Sequence, residues 1–324
     1  MSEPFYIDKQ QFREQLEAAC QRSLDPRAGL YGPGSMMWRL NRESLGFLGA
    51  GRAALLQLAH PWVANAIDQK SATRDDPVGR FHRTFTNVFT MIFGNLDQVR
   101  EVSRRVHNVH RGIKGQLNED SGAFAAGSYY QANEAHAMLW VHATLWDTFV
   151  RMYELVYGPL EREVVEQYYA DTRIFAWLFG IPDEMVPPDW GSFQEYCERM
   201  YASDVLAVAD TGREMGDMIF SLDLPLSRRP LELMRCVTAE MMPDHLREGF
   251  GLPAPSEDNR RRYERTLAWT RRIYPRTPKS LRYVPPYHEA VRRMRGQGSS
   301  PGTRALTQLW LGRKELVAAP PRQA

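Results

Sequence analysis

Residues 79–94 read GRFHRTFTNVFTMIFG and residues 95–115 read NLDQVREVSRRVHNVHRGIKG. Phe81, Phe85, Val88, Phe89 and Ile92 form an apolar stripe in the first stretch, and Val99, Val102, Val106, Val109 and Ile113 form one in the second. Steps of three and four are the period of an α-helix that buries one face, and strands alternate at steps of two. Beside the first stripe Arg80, Thr84, Asn87 and Met91 follow one another at i, i+4, i+7 and i+11, polar and then soft, as a cavity wall would be. At about 100° per residue His110 lies roughly 70° from the centre of the second stripe and His107 about 130° away, beside Arg100, Ser103 and Arg104. The angles predict an inward His110 and an outward His107.

Working outward, helical periodicity dominates and strand alternation is nearly absent, so the expected fold class is all-α. Helices are expected over 8–22, from Met36 or Arg42 to His60, and over 78–93, 96–113, 132–157, 161–179, 193–209, 231–246 and 257–274. Pro61 disfavours the α conformation at His60, which places that histidine at a helix end or kink. Gly94, Gly115, Gly158 with Pro159, and Gly180 stand where C-terminal caps belong. The expected organisation is a single helical domain over 1–295 and a basic, low-complexity tail over 296–324.

With 324 residues, 43 % of them hydrophobic, the chain can build a sizeable core. Lys and Arg total 41 against 39 Asp and Glu, a net charge of +2 that supplies no global drive toward nucleic acid. Charge is local: RRRYERTLAWTRRIYPR (260–276) and AVRRMRGQ (290–297) read as a phosphate-binding or membrane-surface patch, or as a solvated face. Cys20, Cys197 and Cys236 are scattered and without CxxC spacing, which counts against a disulfide framework or a structural zinc. No secretory leader and no run of about eighteen apolar residues is visible, so the expectation is a cytoplasmic protein without a transmembrane span. The oligomeric state is left open.

Basic and histidine side chains set within apolar helical patterns are where chemistry is expected, because a polar group taken out of water needs a partner. A neutral imidazole is a good iron ligand, and one per helix suffices to hold a haem. On pattern alone His110 reads either as such a ligand or as a core histidine bonded to a carbonyl. His142 shares an apolar face with Met138, Leu145, Trp146 and Phe149, and is the rival ligand. His60 reads as a helix-end residue, and His136 as solvent-facing. Paired Glu-x-x-His motifs, His-Glu-x-x-His and Gly-x-Ser-x-Gly do not occur, so di-iron, zinc-hydrolase and serine-hydrolase readings have no starting point.

At these residues the chain resembles the family of the latex clearing proteins, which are rubber oxygenases, and of the fungal MpaB-type oxygenase that cuts the farnesyl chain of a mycophenolic acid precursor. The resemblance spans about 42–292. It is carried by LLQLAHPWVANAI (55–67), by Arg80 and Thr84 in an Arg-x-x-x-Thr ahead of the Phe93-Gly94 helix end, by VHNVHRGIKG (106–115) and by LWVHATL (139–145). It implies a globin-like helical core enclosing haem b, dioxygen as one partner, and an apolar, unsaturated, isoprenoid-like small molecule as the other. Oxidative cleavage of a C=C bond to carbonyl products is the implied reaction. A haem or lipophilic-ligand binding protein without turnover is the competing expectation.

In that family an Arg followed four positions later by a Thr lines the haem pocket, which falls on Arg80 and Thr84 as catalytic and cofactor-binding residues. The proximal ligand falls on His110, in agreement with the helix angles. Rubber-cleaving members place a Lys directly before the Thr. Arg83 stands there in this chain, within the cofactor-binding set but too basic to be a normal iron ligand, which leaves the distal side open or water-bound. A glutamate proposed as a base in those members falls on 61–68, where the only acid is Asp68. Phe85, Phe89, Met91, Trp140 and Trp146 are the expected pocket lining or core.

Overall fold

The computed structural model describes residues 3–70, 76–221, 228–254 and 256–316, and among these it is all-α but for one small hairpin. The helices are α1 (Lys9–Gln21), α2 (Met36–Asn41), α3 (Ala50–Leu58), α4 (Pro61–Lys70), α5 (Pro77–Phe93), α6 (Leu96–Gly112), α7 (Ala135–Tyr157) and α8 (Arg162–Trp177). They continue as α9 (Trp190–Tyr201), α10 (Asp210–Phe220), α11 (Arg228–Met241), α12 (Asp244–Gly249), α13 (Glu257–Ile273), α14 (Lys279–Arg282), α15 (Pro285–Met294) and α16 (Pro301–Leu311). The strands β1 (Lys114–Gln116) and β2 (Tyr129–Gln131) pair antiparallel between α6 and α7, with Gly115 opposite Tyr130.

The core forms around α7, whose residues are buried on nearly every side, as expected of a helix apolar all round. A 3-10 turn at Ser44–Gly49 and α3 lie against it. The approach is close enough that a Cβ at Gly49 would sit 2.5 Å from Thr148 Cγ2.

Helices α5 and α6 form an antiparallel pair, and both starts are encoded locally. Asp76 caps α5 ahead of Pro77, and Asn95 with Gln98 makes a capping box for α6. Phe81, Phe85, Phe89 and Phe93 stack along α5 with successive ring centroids 4.4, 5.9 and 6.1 Å apart. Phe47 and Trp310 close over this row. The turn between α5 and α6 is clamped by Gly29, whose φ of +89° and absent side chain let its backbone lie against Gly94, where a Cβ would be 1.9 Å from the carbonyl oxygen.

Several expected boundaries move. The helix read from Met36 or Arg42 to His60 is three pieces, and Pro61 opens α4 where none was expected. Gly115 belongs to β1, and α6 is capped by Ile113. The helix expected over 193–209 stops at Tyr201, and Pro243 divides the one expected over 231–246. The segment read as a tail contains α16, which packs on α5 and α15 with Leu311 and Leu316 buried, while 317–324 lies outside the described residues. Among the described residues no helix is long and apolar enough to cross a membrane.

Candidate functional site

The last turn of α6 corrects the sequence-based angles in one respect. Val109 is 55 % exposed, whereas Ser103 and His107 are buried along with Val99, Val102 and Val106. The buried arc is thus rotated by about 30° toward Ser103. His107, expected outside, is covered because α1 lays Phe12 flat on its ring, with centroids 4.0 Å apart and planes 7° from parallel. A neighbouring helix decided this, and the periodicity of α6 carries no trace of it. His107 Nε2 is buried without a hydrogen-bond partner, and burial, with Arg111 next, lowers this imidazole to a pKa of about 4.

His110 falls near the centre of the corrected arc and keeps part of its surface while lying deep among protein atoms. Its ring faces Phe179, beyond the end of α8, at 6.5 Å. Burial first, then the charges of His107 and Arg80, lower it to about 4, so it is a neutral imidazole at physiological pH. Arg80 comes from the opposite helix because α5 and α6 run antiparallel, which sets the start of one beside the end of the other. Burial, followed by the charge of Arg83, pulls the Arg80 guanidinium below its usual pKa. Among the described residues no carboxylate pairs with it.

The rest of the α5 stripe read as a cavity wall is divided. Thr84 is exposed, Asn87 accepts a hydrogen bond from Arg105 of α6 at 2.8 Å, and Met91 is core. The stripe runs along the α5–α6 seam. Arg83 is exposed and paired with Asp76 at 3.0 Å. Of the expected lining, Phe89, Met91, Trp140 and Trp146 are buried in the main core, with Phe85 packed against it.

His142 is fully enclosed on α7. Its Nδ1 accepts from Trp146 Nε1 at 3.1 Å, and an indole can only donate. Burial lowers the ring to about 3, so it is neutral and carries its proton on Nε2, which has no hydrogen-bond partner. In this geometry His142 is a donor with no lone pair left for a metal. Phe175 and Phe179 link its surroundings to those of His110. His60 ends α3 as the proline rule requires, and its buried ring packs on Phe124 with burial lowering it to about 4. His136 is exposed.

One buried polar group was not singled out from the sequence. Arg52 on α3 and Asp147 on α7 pair at 2.7 Å with side chains only 1 % and 3 % exposed. Arg52 also donates to Thr148 Oγ1, Tyr201 OH and Met241 O, and Asp147 accepts from Tyr201 OH and Arg151 Nε. Burial alone would raise Asp147, but Arg52, Arg151 and Tyr201 together hold it below its usual value. A signal was present: a lone base in GRAALLQL and a lone acid in LWDTFV, each within an apolar helix.

Comparison with known families places this arrangement. The model of the ER-bound oxygenase mpaB/B'/rubber oxygenase catalytic domain matches residues 37–272. The chain belongs to this family. The match takes in α5, α6 and α7, all the candidate histidines and the Arg52–Asp147 pair, and it ends before α14, α15 and α16. Curated relatives include the uncharacterized proteins Rv2237 of Mycobacterium tuberculosis and Mb2261 of Mycobacterium bovis, each 26 % identical over 149 residues. Those residues are 45 % of this chain and 56 % of each relative, so the chain spans little more than half the length of the relatives it matches. No solved structure matches.

Proposed function

We propose that the chain is a haem-dependent oxygenase acting on an apolar, unsaturated, isoprenoid-like small molecule. The observation that carries this reading is the end of α6, where His110, an imidazole kept neutral by burial, lies within reach of the Arg80 charge. A haem requires one protein nitrogen on its iron and cationic partners for its propionates, and the residues at this seam are of those types. Among the described residues no three metal-ligating side chains cluster, so the donors on offer are single imidazoles.

In this reading His110 would hold the iron, Arg80 would supply positive charge to the haem carboxylates or the oxidant, and the exposed Thr84 would offer a hydroxyl donor one turn further along α5. A bound haem supplies dioxygen activation. Arg83 stays in the cofactor-facing set through charge alone, since a guanidinium does not ligate. His142 contributes an N–H donor on the Phe175 side. The globin-like enclosure of the haem belongs to this proposal, as does a cytoplasmic location. Cleavage of a C=C bond balances with dioxygen alone: the double bond and the O–O bond break, and each carbon takes one oxygen as a carbonyl. The acid nearest the family's proposed base position is Asp68.

A second reading is favoured by one observation. The buried, partnerless Nε2 of His107 makes it the alternative ligand on the same helix. Absorption spectra of freshly purified protein, before and after hemin is supplied, test both. A Soret band lost in His110→Ala and kept in His107→Ala and His142→Ala supports the first assignment, and the reverse pattern supports the second. Protein that stays colourless with hemin overturns the haem reading. Reduced, haem-loaded protein that consumes no oxygen with an unsaturated isoprenoid is a binding protein without turnover.

A further inference from the structure

The basic run at 260–276 is α13 and the turn after it, on a part of the molecule that the oxygenase proposal does not use. One face of α13 packs inward through Tyr263 and Thr270 against α7 and α11. The other face presents Trp269, 63 % exposed, and Ile273, 40 % exposed, one turn apart. An indole and a branched aliphatic in water gain nothing from a monomer's surface, and pairs at i and i+4 form one patch.

Basic side chains outnumber acids around that patch, with Asp258 one turn before Arg262 and Glu240 of α11 sharing a cleft with it. Arg262, Arg265 and Arg272 stand at i−7, i−4 and i+3 from Trp269, on the same side of the helix. None of the three has a carboxylate partner among the described residues. Of the three acids of the helix, Glu264 pairs with Arg260 and Glu257 with Arg261, and Asp258 lies one turn before Arg262. Seven arginines against three acids fall within 257–276, in a chain whose whole net charge is +2. Three of the seven arginines, Arg262, Arg265 and Arg272, thus share a face with the exposed apolar groups.

We propose that this face of α13 is a peripheral docking surface for an anionic lipid bilayer, with Trp269 and Ile273 entering the headgroup boundary and Arg262, Arg265 and Arg272 meeting lipid phosphates. Charge complementarity selects an anionic partner. The tryptophan selects a membrane interface, where an indole buries its body and keeps its N–H hydrated. An acidic protein or a nucleic acid would need the arginines and would leave Ile273 in water. The inference stands whether or not the chain holds haem.

Flotation of the full-length protein with phosphatidylcholine vesicles, with or without one third phosphatidylserine, tests it. The protein is expected to float with the anionic vesicles and to be released as salt rises. Each of Arg265→Gln and Arg272→Gln should lower partitioning by roughly five-fold, the effect of about one surface charge at an anionic membrane. Trp269→Ser should lower it by about tenfold without changing the helical circular dichroism, because most of the side chain lies in solvent. Blue-shifted emission on vesicle binding in the wild type, reduced in Trp269→Ser, reports burial of that indole. No flotation with anionic vesicles at low salt overturns the proposal. So does Trp269→Ser binding as well as wild type, or equal retention of both proteins on heparin with no preference for vesicles, which would make the face a general polyanion surface.

Discussion

Arg52 lies fully away from solvent and Arg80 in part, and their surroundings are opposite. Arg52, between α3 and α7, has Asp147 at 2.7 Å and hydrogen bonds from its guanidinium to Thr148, Tyr201 and Met241. Arg80, at the seam of α5 and α6, has another arginine, Arg83, and the neutral imidazole of His110 in its field. Polar groups buried at a cost are either satisfied, in which case they hold the fold, or left waiting, in which case they mark where a ligand is expected. The first region spans elements far apart in sequence, from residue 52 to residue 241. The second lies within one helical hairpin.

The sharpest way to break this contrast is to apply one substitution to both. Asp147→Ala leaves the Arg52 guanidinium buried without a counter-charge, and urea unfolding should show a loss of about 3–5 kcal/mol, whereas Arg52→Ala should cost less because Arg151 and Tyr201 still hold Asp147. If either variant unfolds at the wild-type midpoint, the network is not what joins α3 to α7.

Acid separates the regions next. Below the unfolded imidazole value of about 6.5, unfolded histidines bind protons that the native ones at about 4 refuse. Their contribution to stability is full above that value and is lost as pH falls toward 4, at about 1.4 kcal/mol per pH unit for each such ring. Asp147, held low, keeps its contribution through this window and loses it only below the ordinary carboxylate range. Unfolding midpoints measured from pH 7 to 4 should therefore fall in the wild type and fall less steeply in His107→Gln. Equal slopes would mean that His107 is not held neutral by burial.

Arg80→Ala, by contrast with Asp147→Ala, should shift stability by less than about 1 kcal/mol, because no carboxylate among the described residues is left without it. Its measurable effect should be weaker hemin binding in a titration. A large loss of stability would place Arg80 in the structural class with Arg52. The smallest change is expected for Arg83→Ala, whose pair with Asp76 is exposed on both sides. Thermal unfolding should not distinguish it from wild type.

Periodicity, caps and proline placement were enough to read the all-α class, the α5–α6 pair, α7 and the helix end at His60, since each depends on residues within a turn or two of one another. Arg80 and His110 were singled out from helix angles and the family resemblance, and their nearness follows from the antiparallel packing of α5 on α6. The burial of His107 was not legible, since it rests on Phe12, almost a hundred residues away. Nor was the tautomer of His142, which follows from the hydrogen bond Trp146 makes rather than from the face it occupies. The Arg52–Asp147 pair requires α3, α7 and α9 to be packed before either charge has a partner. Side-chain chemistry and local pattern thus determined which elements form and which residues are available, whereas the packing of helices distant in sequence decided which polar groups are satisfied, since solvation and hydrogen bonding depend on every neighbour and a single helix displays only its own.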